Sequence, residues 1–207
     1  MDNQIETHTR IAVSPEEDVE LRRVTISNCS SRRRIIEVTS YTEVVLNYPA
    51  SDQVHRAFSN LFIETEIIKP YQAILCRRRP RDQKETFPLV LHLMAVHGNA
   101  LKEASYETDR SKFIGRGRTT ASPLAMDKPG SLSNSEGSVL DPVVSIRSRL
   151  ELAPGESAVI DYVTGSCQSR ESAQRIIEKY RDKNLSDRIF NLAWTQGQVA
   201  LQQINVT

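Results

Sequence analysis

Aromatic residues are scarce in this chain: they make up 6% of 207 residues, with a single tryptophan, Trp194. Surfaces that stack on sugars or bases are usually built from exposed rings, so a free carbohydrate-binding module or a single-strand nucleic-acid binder lacks its ordinary material. An excess of one charge is missing too. Lysine and arginine number 27 against 26 acidic residues, a net charge of +1. No overall electrostatic footprint therefore points to nucleic acid or an anionic membrane. No apolar run reaches the roughly 18 residues a membrane span needs, and the N-terminus has no secretory apolar core. The three cysteines, Cys29, Cys76 and Cys167, are odd in number, widely spaced and form no CxxC pair. That argues against a disulfide framework or a structural zinc site, and for a reducing, intracellular compartment. HExxH, P-loop and GxSxG motifs are absent as well.

What is present is alternation. Across residues 4–13, Ile5, Thr7, Thr9, Ile11 and Val13 share one parity and Glu6, His8 and Arg10 the other, the period of a half-buried strand. A polar turn at 14–18 precedes a second strand over 19–27. There Val19 and Leu21 keep one parity and Val24 and Ile26 the other, which predicts a β-bulge near Arg22-Arg23. Further strands are expected at 34–46, 61–68, 72–77, 89–97, 104–108, 143–152 and 157–164. The last two flank Ala153-Pro154-Gly155-Glu156, read as a hairpin turn. Short strands at regular spacing, with no helix between them, predict a mainly β chain built as a large antiparallel sandwich.

Two segments depart from that pattern. Residues 115–137 are rich in Gly, Pro, Ser and Thr without periodicity, and their linker composition predicts disorder over 117–135. From Ser169, a good N-cap, the period turns helical, with Ala173, Ile176, Ile177 and Tyr180 on one face. A second helix is expected from about Ser186. It carries Ile189, Leu192 and Ala193 but also Phe190, Trp194 and Leu201, so it is apolar on more than one side and expects a partner on each. The chain thus reads as a fragment that opens almost within a strand and closes on a helix requiring more protein.

Candidate chemistry is sparse. His92 and His97 lie five apart on one strand, hence on opposite faces, and cannot chelate one metal together. His8 shares a face with Glu6 and Arg10, either a polar cluster lining a groove or an ordinary solvated sheet face. Glu64 with Glu66, and Glu37 with Glu43, are the carboxylate pairs a sugar-active enzyme needs, yet 26 acidic residues on strands produce such pairs by chance. Arginine dominates lysine, twenty to seven. The runs Arg32-Arg33-Arg34 and Arg77-Arg78-Arg79 with Arg81 read as protection of strand edges. Arg110, Arg116 and Arg118 bracket the long aperiodic segment, where planar guanidinium forks suit phosphate or sugar hydroxyls.

Several stretches, in order, resemble one family. They are Glu6-Thr7-His8-Thr9, the run from Val13-Ser14-Pro15 to Leu21-Arg22-Arg23, Ile36-Glu37-Val38-Thr39-Ser40-Tyr41, Ala57-Phe58-Ser59-Asn60-Leu61-Phe62 and Tyr106-Glu107-Thr108-Asp109-Arg110. Phe113-Ile114-Gly115-Arg116-Gly117-Arg118 and Glu136-Gly137-Ser138-Val139-Leu140-Asp141-Pro142 complete them. Together they resemble the β-sandwich domain of bacterial cyclic β-1,2-glucan synthases, in the part related to family 94 glycoside phosphorylases, formerly glycosyltransferase family 36. The resemblance implies a supersandwich similar in fold to galactose mutarotase over residues 1–167. Residues 168–207 are then linker helices leading to an α/α toroid that holds the catalytic carboxylates. It implies no catalytic residue, cofactor or metal ligand in this chain. Arg110, Phe113, Arg116 and Arg118 match a sandwich loop that reaches a sugar site in related phosphorylases, in some dimers that of the neighbouring subunit. The implied partners are the downstream toroid, β-1,2-glucan and a second copy of the chain, without nucleic acid. The implied location is the cytoplasmic side of the bacterial inner membrane, as a soluble part of a larger membrane protein. Two other readings stay open: an autonomous mutarotase-like enzyme pairing His8 with Glu6 or Glu64, and a free carbohydrate-binding domain.

Overall fold

The computed structural model describes residues 4–82, 85–98, 104–127 and 129–204. Eleven strands and four α-helices occur among them. The strands are β1 (Ile5–Val13), β2 (Val19–Asn28), β3 (Arg34–Thr39), β4 (Thr42–Glu43), β5 (Ile63–Ile68), β6 (Ala73–Arg78), β7 (Leu89–His97), β8 (Ser105–Asp109), β9 (Gly137–Ser138), β10 (Pro142–Leu152) and β11 (Ser157–Cys167). The helices are α1 (Pro49–Asn60), α2 (Arg110–Ile114), α3 (Arg170–Arg181) and α4 (Lys183–Gln203). A seven-stranded sheet runs β1-β2-β11-β7-β6-β5-β9, and a smaller one runs β3-β10-β4 with β8 also on β10. All pairings are antiparallel.

The large sheet is covered on both faces. Its inner face packs on the small sheet through Ile26, Met94, Ile146, Leu150 and Ile160. Its outer face packs on α3 and α4 through Leu21, Leu93, Val163, Ala173, Ile177, Tyr180 and Ile189. Double coverage explains why β7 reads as an almost unbroken aliphatic run. It also removes the expected bulge at Arg22-Arg23, since β2 keeps one continuous register with both β1 and β11. Val19 and Leu21 meet the helices while Val24 and Ile26 meet the second sheet, so the change of parity marks two cores, not an extra residue.

Other expectations need revision. β1 is an edge strand and mostly exposed, with Ile11 and Val13 open to solvent. The single strand expected over 34–46 breaks at Ser40-Tyr41 into β3 and β4. A helix does stand between strands: α1 carries Pro49 in its first turn, where the missing N–H costs nothing. Its residues are largely exposed, so it offered no apolar period to read. The tight turn at 153–156 exists, closed by Glu156 N–H donating to the Ala153 carbonyl at 3.1 Å, but it makes no hairpin. β10 and β11 lie in different sheets, and the turn carries the chain across the sandwich. Buried Asn28 clamps this corner, its amide donating to the carbonyls of Arg32, Leu152 and Ala153 at 2.8, 3.0 and 3.1 Å.

The long segment after α2 is pinned in place, contrary to the disorder expected from its composition; Lys128 lies outside the described residues. Phe113, Ile114 and Leu132 form a small apolar cluster beneath it. Arg147, buried in β10, donates to the carbonyls of Ala125 at 2.6 Å and Gly130 at 2.8 Å. Backbone N–H groups of Leu132 and Asn134 reach Ser105 Oγ and the Tyr106 carbonyl at 3.0 and 2.8 Å. Gly115 starts the segment at φ +85°, and a Cβ there would meet Leu124 Cβ at 2.8 Å. Only glycine suits that position.

The C-terminal helices begin as expected at Ser169, whose side chain caps α3 in a reciprocal bond with Ser172. The second starts three residues earlier than anticipated, because Asp182 caps it through the Asn184 N–H. The first half of α4 covers the large sheet, whereas Trp194, Val199, Leu201 and Ile204 are exposed.

The thiols fall into two classes. Cys29 is exposed, while Cys76 and Cys167 are buried and burial pushes their pKa values up to about 12 and about 11. A thiol raised from 9.0 to about 12 carries roughly a thousandfold less thiolate at neutral pH. Titration of the native chain with an aromatic disulfide reagent is expected to modify one thiol quickly and all three after denaturation. A second thiol reacting at the rate of the first would contradict this burial.

Candidate functional site

A cleft of about 490 Å³ opens between the two sheets where β3 gives way to β4. Strand alternation aims inner-face side chains of the large sheet into it: Glu20 and Arg22 from β2, Tyr162 and Thr164 from β11, His92 from β7. Ser40 and Tyr41 close it from the small-sheet side. His92 is only 2% exposed. Its Nδ1 lies 3.0 Å from Thr164 Oγ1 and its Nε2 lies 2.8 Å from Ser40 Oγ. Burial, with a smaller contribution from Arg22, lowers its pKa to about 4, so the imidazole is neutral at physiological pH. Glu20 and Arg22 pair at the rim, with Arg22 Nε donating at 2.5 Å.

Tyr41 joins this cleft to a second polar surface. Its ring packs on Phe113 with centroids 4.8 Å apart, and its hydroxyl donates to Glu43 Oε1 at 3.2 Å. Glu43 also accepts from Arg56 at 2.6 Å and from Arg110 at 3.0 Å. The Arg56 bond foremost, then Arg110 and Tyr41, outweigh burial and hold the Glu43 carboxyl below its usual range. Arg110 further approaches Asp141 at 3.7 Å, which itself accepts from Asn60 at 2.9 Å.

The four residues singled out from sequence therefore occupy different settings. Arg110 is held in the Glu43–Asp141 cluster, Phe113 is buried against Tyr41, and Arg118 pairs with Asp127 at 2.7 Å. Arg116 is exposed and makes no hydrogen bond or ion pair with the described residues. Of the two mutarotase pairings, His8 with Glu64 does not assemble, while Glu6 stays beside His8 on β1. His8 sits on edge strand β1 and Glu64 on β5, separated by β2, β11, β7 and β6, about 24 Å at the usual strand spacing. Glu64 is neutralised by Arg77 and Arg79, and Glu66 by Arg170. β6 is an interior strand, so its arginines protect no edge; Arg77 instead stands directly opposite Glu64 in register. His92 and His97 do point to opposite faces, His97 Nε2 donating to Asp161 at 3.1 Å on the outer side. Among the described residues no three His, Cys, Asp or Glu gather as metal ligands.

Sequence reasoning passed over the cleft itself. A histidine interrupting the aliphatic run of β7 was its one local signal, since a buried polar group among aliphatics must find partners.

Two antiparallel sheets of seven and four strands, with helices laid on the outer face of the larger, define a supersandwich. The chain belongs to the family described as glycosyl hydrolase 94, supersandwich domain, which matches residues 1–183. It is similar to the cyclic beta-(1,2)-glucan synthase NdvB of Rhizobium meliloti (strain 1021), with 34% identity over 94% of this chain. It is also similar to the solabiose phosphorylase of Paenibacillus borealis, 27% identical over 82% of the chain, and to the N,N'-diacetylchitobiose phosphorylase of Vibrio proteolyticus, 26% over 87%. The matched region covers only 7% of the synthase and 21% of each phosphorylase. Among the described residues no helix is long and apolar enough to cross a membrane.

Proposed function

We propose that this chain is the accessory sandwich of a cyclic β-1,2-glucan synthase at the cytoplasmic face of a bacterial inner membrane. In this reading residues 1–167 are the sandwich and 168–207 link it to an α/α toroid that performs glycosyl transfer or phosphorolysis. The Arg110–Arg118 segment lies toward the glucan, with Phe113 anchoring it and exposed Arg116 free to meet sugar hydroxyls or phosphate. The apolar outer half of α4 supports a further domain packing there. A second copy of the chain is another partner the reading admits.

One observation carries the accessory role: carboxylates at the polar surfaces are matched by arginines. Glu43 and Glu66 there, and Asp161 in the interior, are all held below the usual range with arginine bonds among the causes. Glycoside chemistry with paired carboxylates needs one acid whose pKa is raised so that it can donate a proton. These groups are held the other way.

The 207-residue chain alone is therefore expected neither to anomerise glucose nor to cleave β-1,2-glucan above the buffer rate. Either turnover at an enzymatic rate would overturn the accessory reading. In a polypeptide carrying both this chain and the toroid, Arg116→Ala with Arg118→Ala is expected to lower kcat/KM about tenfold or more. Unchanged kinetics would remove the loop from the sugar site.

A further inference from the structure

We propose that the cleft between the two sheets binds a neutral pyranose, one or two rings of an oligosaccharide, at a site separate from the Arg110–Arg118 segment. The volume, about 490 Å³, falls within the range of small-ligand pockets. Its lining alternates ring and aliphatic surface, from Tyr162, Tyr41 and Val24, with hydroxyls from Ser40 and Thr164. A sugar ring presents the same alternation, with apolar C–H faces and a hydroxyl edge.

The polar end is a relay of hydrogen bonds. Ile146 N–H donates to Ser40 Oγ at 3.0 Å, leaving that hydroxyl to meet His92 Nε2. If Ser40 donates to Nε2, then Nδ1–H donates to Thr164, whose own proton is free for the cleft. In the opposite tautomer Ser40 turns its proton to the Ile146 carbonyl, 3.4 Å away. His92 then donates to Ser40, Thr164 donates to Nδ1, and Thr164 keeps a lone pair for an incoming donor. Either way one neutral imidazole lets Thr164 donate or accept, which matches a ligand hydroxyl that does both. The Tyr162 phenol, half-buried in the same wall, has no hydrogen-bond partner among the described residues. A phenol at a cleft wall can donate to or accept from a ligand hydroxyl.

Charge argues for a neutral ligand. Arg22 is the lining cation, and Glu20 already holds it through Nε at 2.5 Å and Nη2 at 3.3 Å. An anion or a divalent cation would have to break that pair. Choosing a glucan-derived probe rests on the proposed function above; the cleft's preference for a neutral polyhydroxyl does not.

The experiment is titration of the 207-residue chain with sophorose, the β-1,2-linked glucose disaccharide, and separately with inorganic phosphate. Backbone amide shifts and the ring nitrogens of His92 are followed by NMR. Saturable shifts at Ser40, His92, Tyr162 and Thr164, with His92 nitrogens moving as the tautomer balance changes, are the expected result. Tyr162→Phe and Thr164→Val should each weaken sophorose binding tenfold or more, and Thr164→Ser should restore it. Sugar shifts confined to Arg110 and 116–118 would overturn the cleft while upholding the loop. Shifts at neither place would overturn both, and phosphate shifting the cleft in preference to sophorose would overturn the neutral-ligand assignment.

Discussion

Asp161→Ala is expected to lower the unfolding free energy of this chain by about 3–5 kcal/mol, the usual cost of orphaning a buried charge. Asp161 is fully buried in β11. Arg23 of β2 grips it bidentately, Nε to Oδ1 at 2.7 Å and Nη2 to Oδ2 at 2.8 Å. His97 of β7 donates to the same carboxylate, and Arg23 reaches on to Asp187 of α4. The Phe190 ring lies under both Arg23 and Arg10, with centroid distances of 5.2 and 4.3 Å. Three strands and the last helix therefore meet at one charge. Removing the carboxylate leaves Arg23 nearly buried with only the half-exposed Asp187 to answer it. Urea unfolding followed by circular dichroism measures the loss, and a change below about 1 kcal/mol, the value of a surface pair, would contradict it.

The same pair gives stability a direction with pH. Burial alone would raise the Asp161 pKa, but its bonds from Arg23 and His97 prevail and hold it below the usual aspartate value. The unfolded chain therefore binds the proton first as pH falls, and stability drops with it. This contribution is complete above the unfolded value near 4 and is lost as pH falls through the lower folded value. Asp161→Asn should flatten that acid limb. An acid limb as steep as in the parent chain would place the titrating group elsewhere.

Arg147→Met is expected to cost roughly 3–4 kcal/mol and to release the segment between α2 and β9. Bonds from a charged donor contribute about 1.5–3 kcal/mol, and orphaned buried acceptors add to the loss. Arg147 is 4% exposed, pairs with no carboxylate among the described residues, and has its pKa lowered by burial. What keeps the charge in place is the set of acceptors around it: the Ala125 and Gly130 carbonyls and, at 2.8 Å, Thr39 Oγ1. Methionine fills similar volume without donors. Hydrogen exchange should then show faster exchange at Leu132 and Asn134, whose N–H groups are tied to Ser105 and Tyr106. Unchanged exchange there would mean the apolar cluster of Phe113, Ile114 and Leu132 holds the segment by itself.

Pinning of this segment shows why its composition misled. Glycine, proline and serine describe a chain that cannot build its own core. They do not register an arginine on a distant strand that supplies the missing donors. Phe113 and Ile114 were visible as apolar residues, but their partner Leu132 stands alone deep within the aperiodic stretch, with no period to mark it. The Glu43 cluster is similar. Each carboxylate and guanidinium was present in the sequence, yet Glu43 and Arg110 are 67 residues apart, and nothing local pairs them. Pairing decides whether a carboxylate serves as an acid or as the counter-ion of an arginine.

Taken alone, the sequence determined most strands, the C-terminal helices and the Ser169 cap, because side-chain period and capping are local properties of the backbone. The ordered runs of residues also placed the chain in its family. Tertiary structure alone decided the rest. Ladder bonds join backbone groups common to all residues, so strand order is not written in any one strand. Covering the large sheet on both sides turned an apparent bulge in β2 into two cores, and carrying the chain between sheets turned an apparent hairpin at 153–156 into a corner. His92 became the hinge of a hydrogen-bond relay only when Ser40, 52 residues before it, and Thr164, 72 after it, were brought within 3.0 Å.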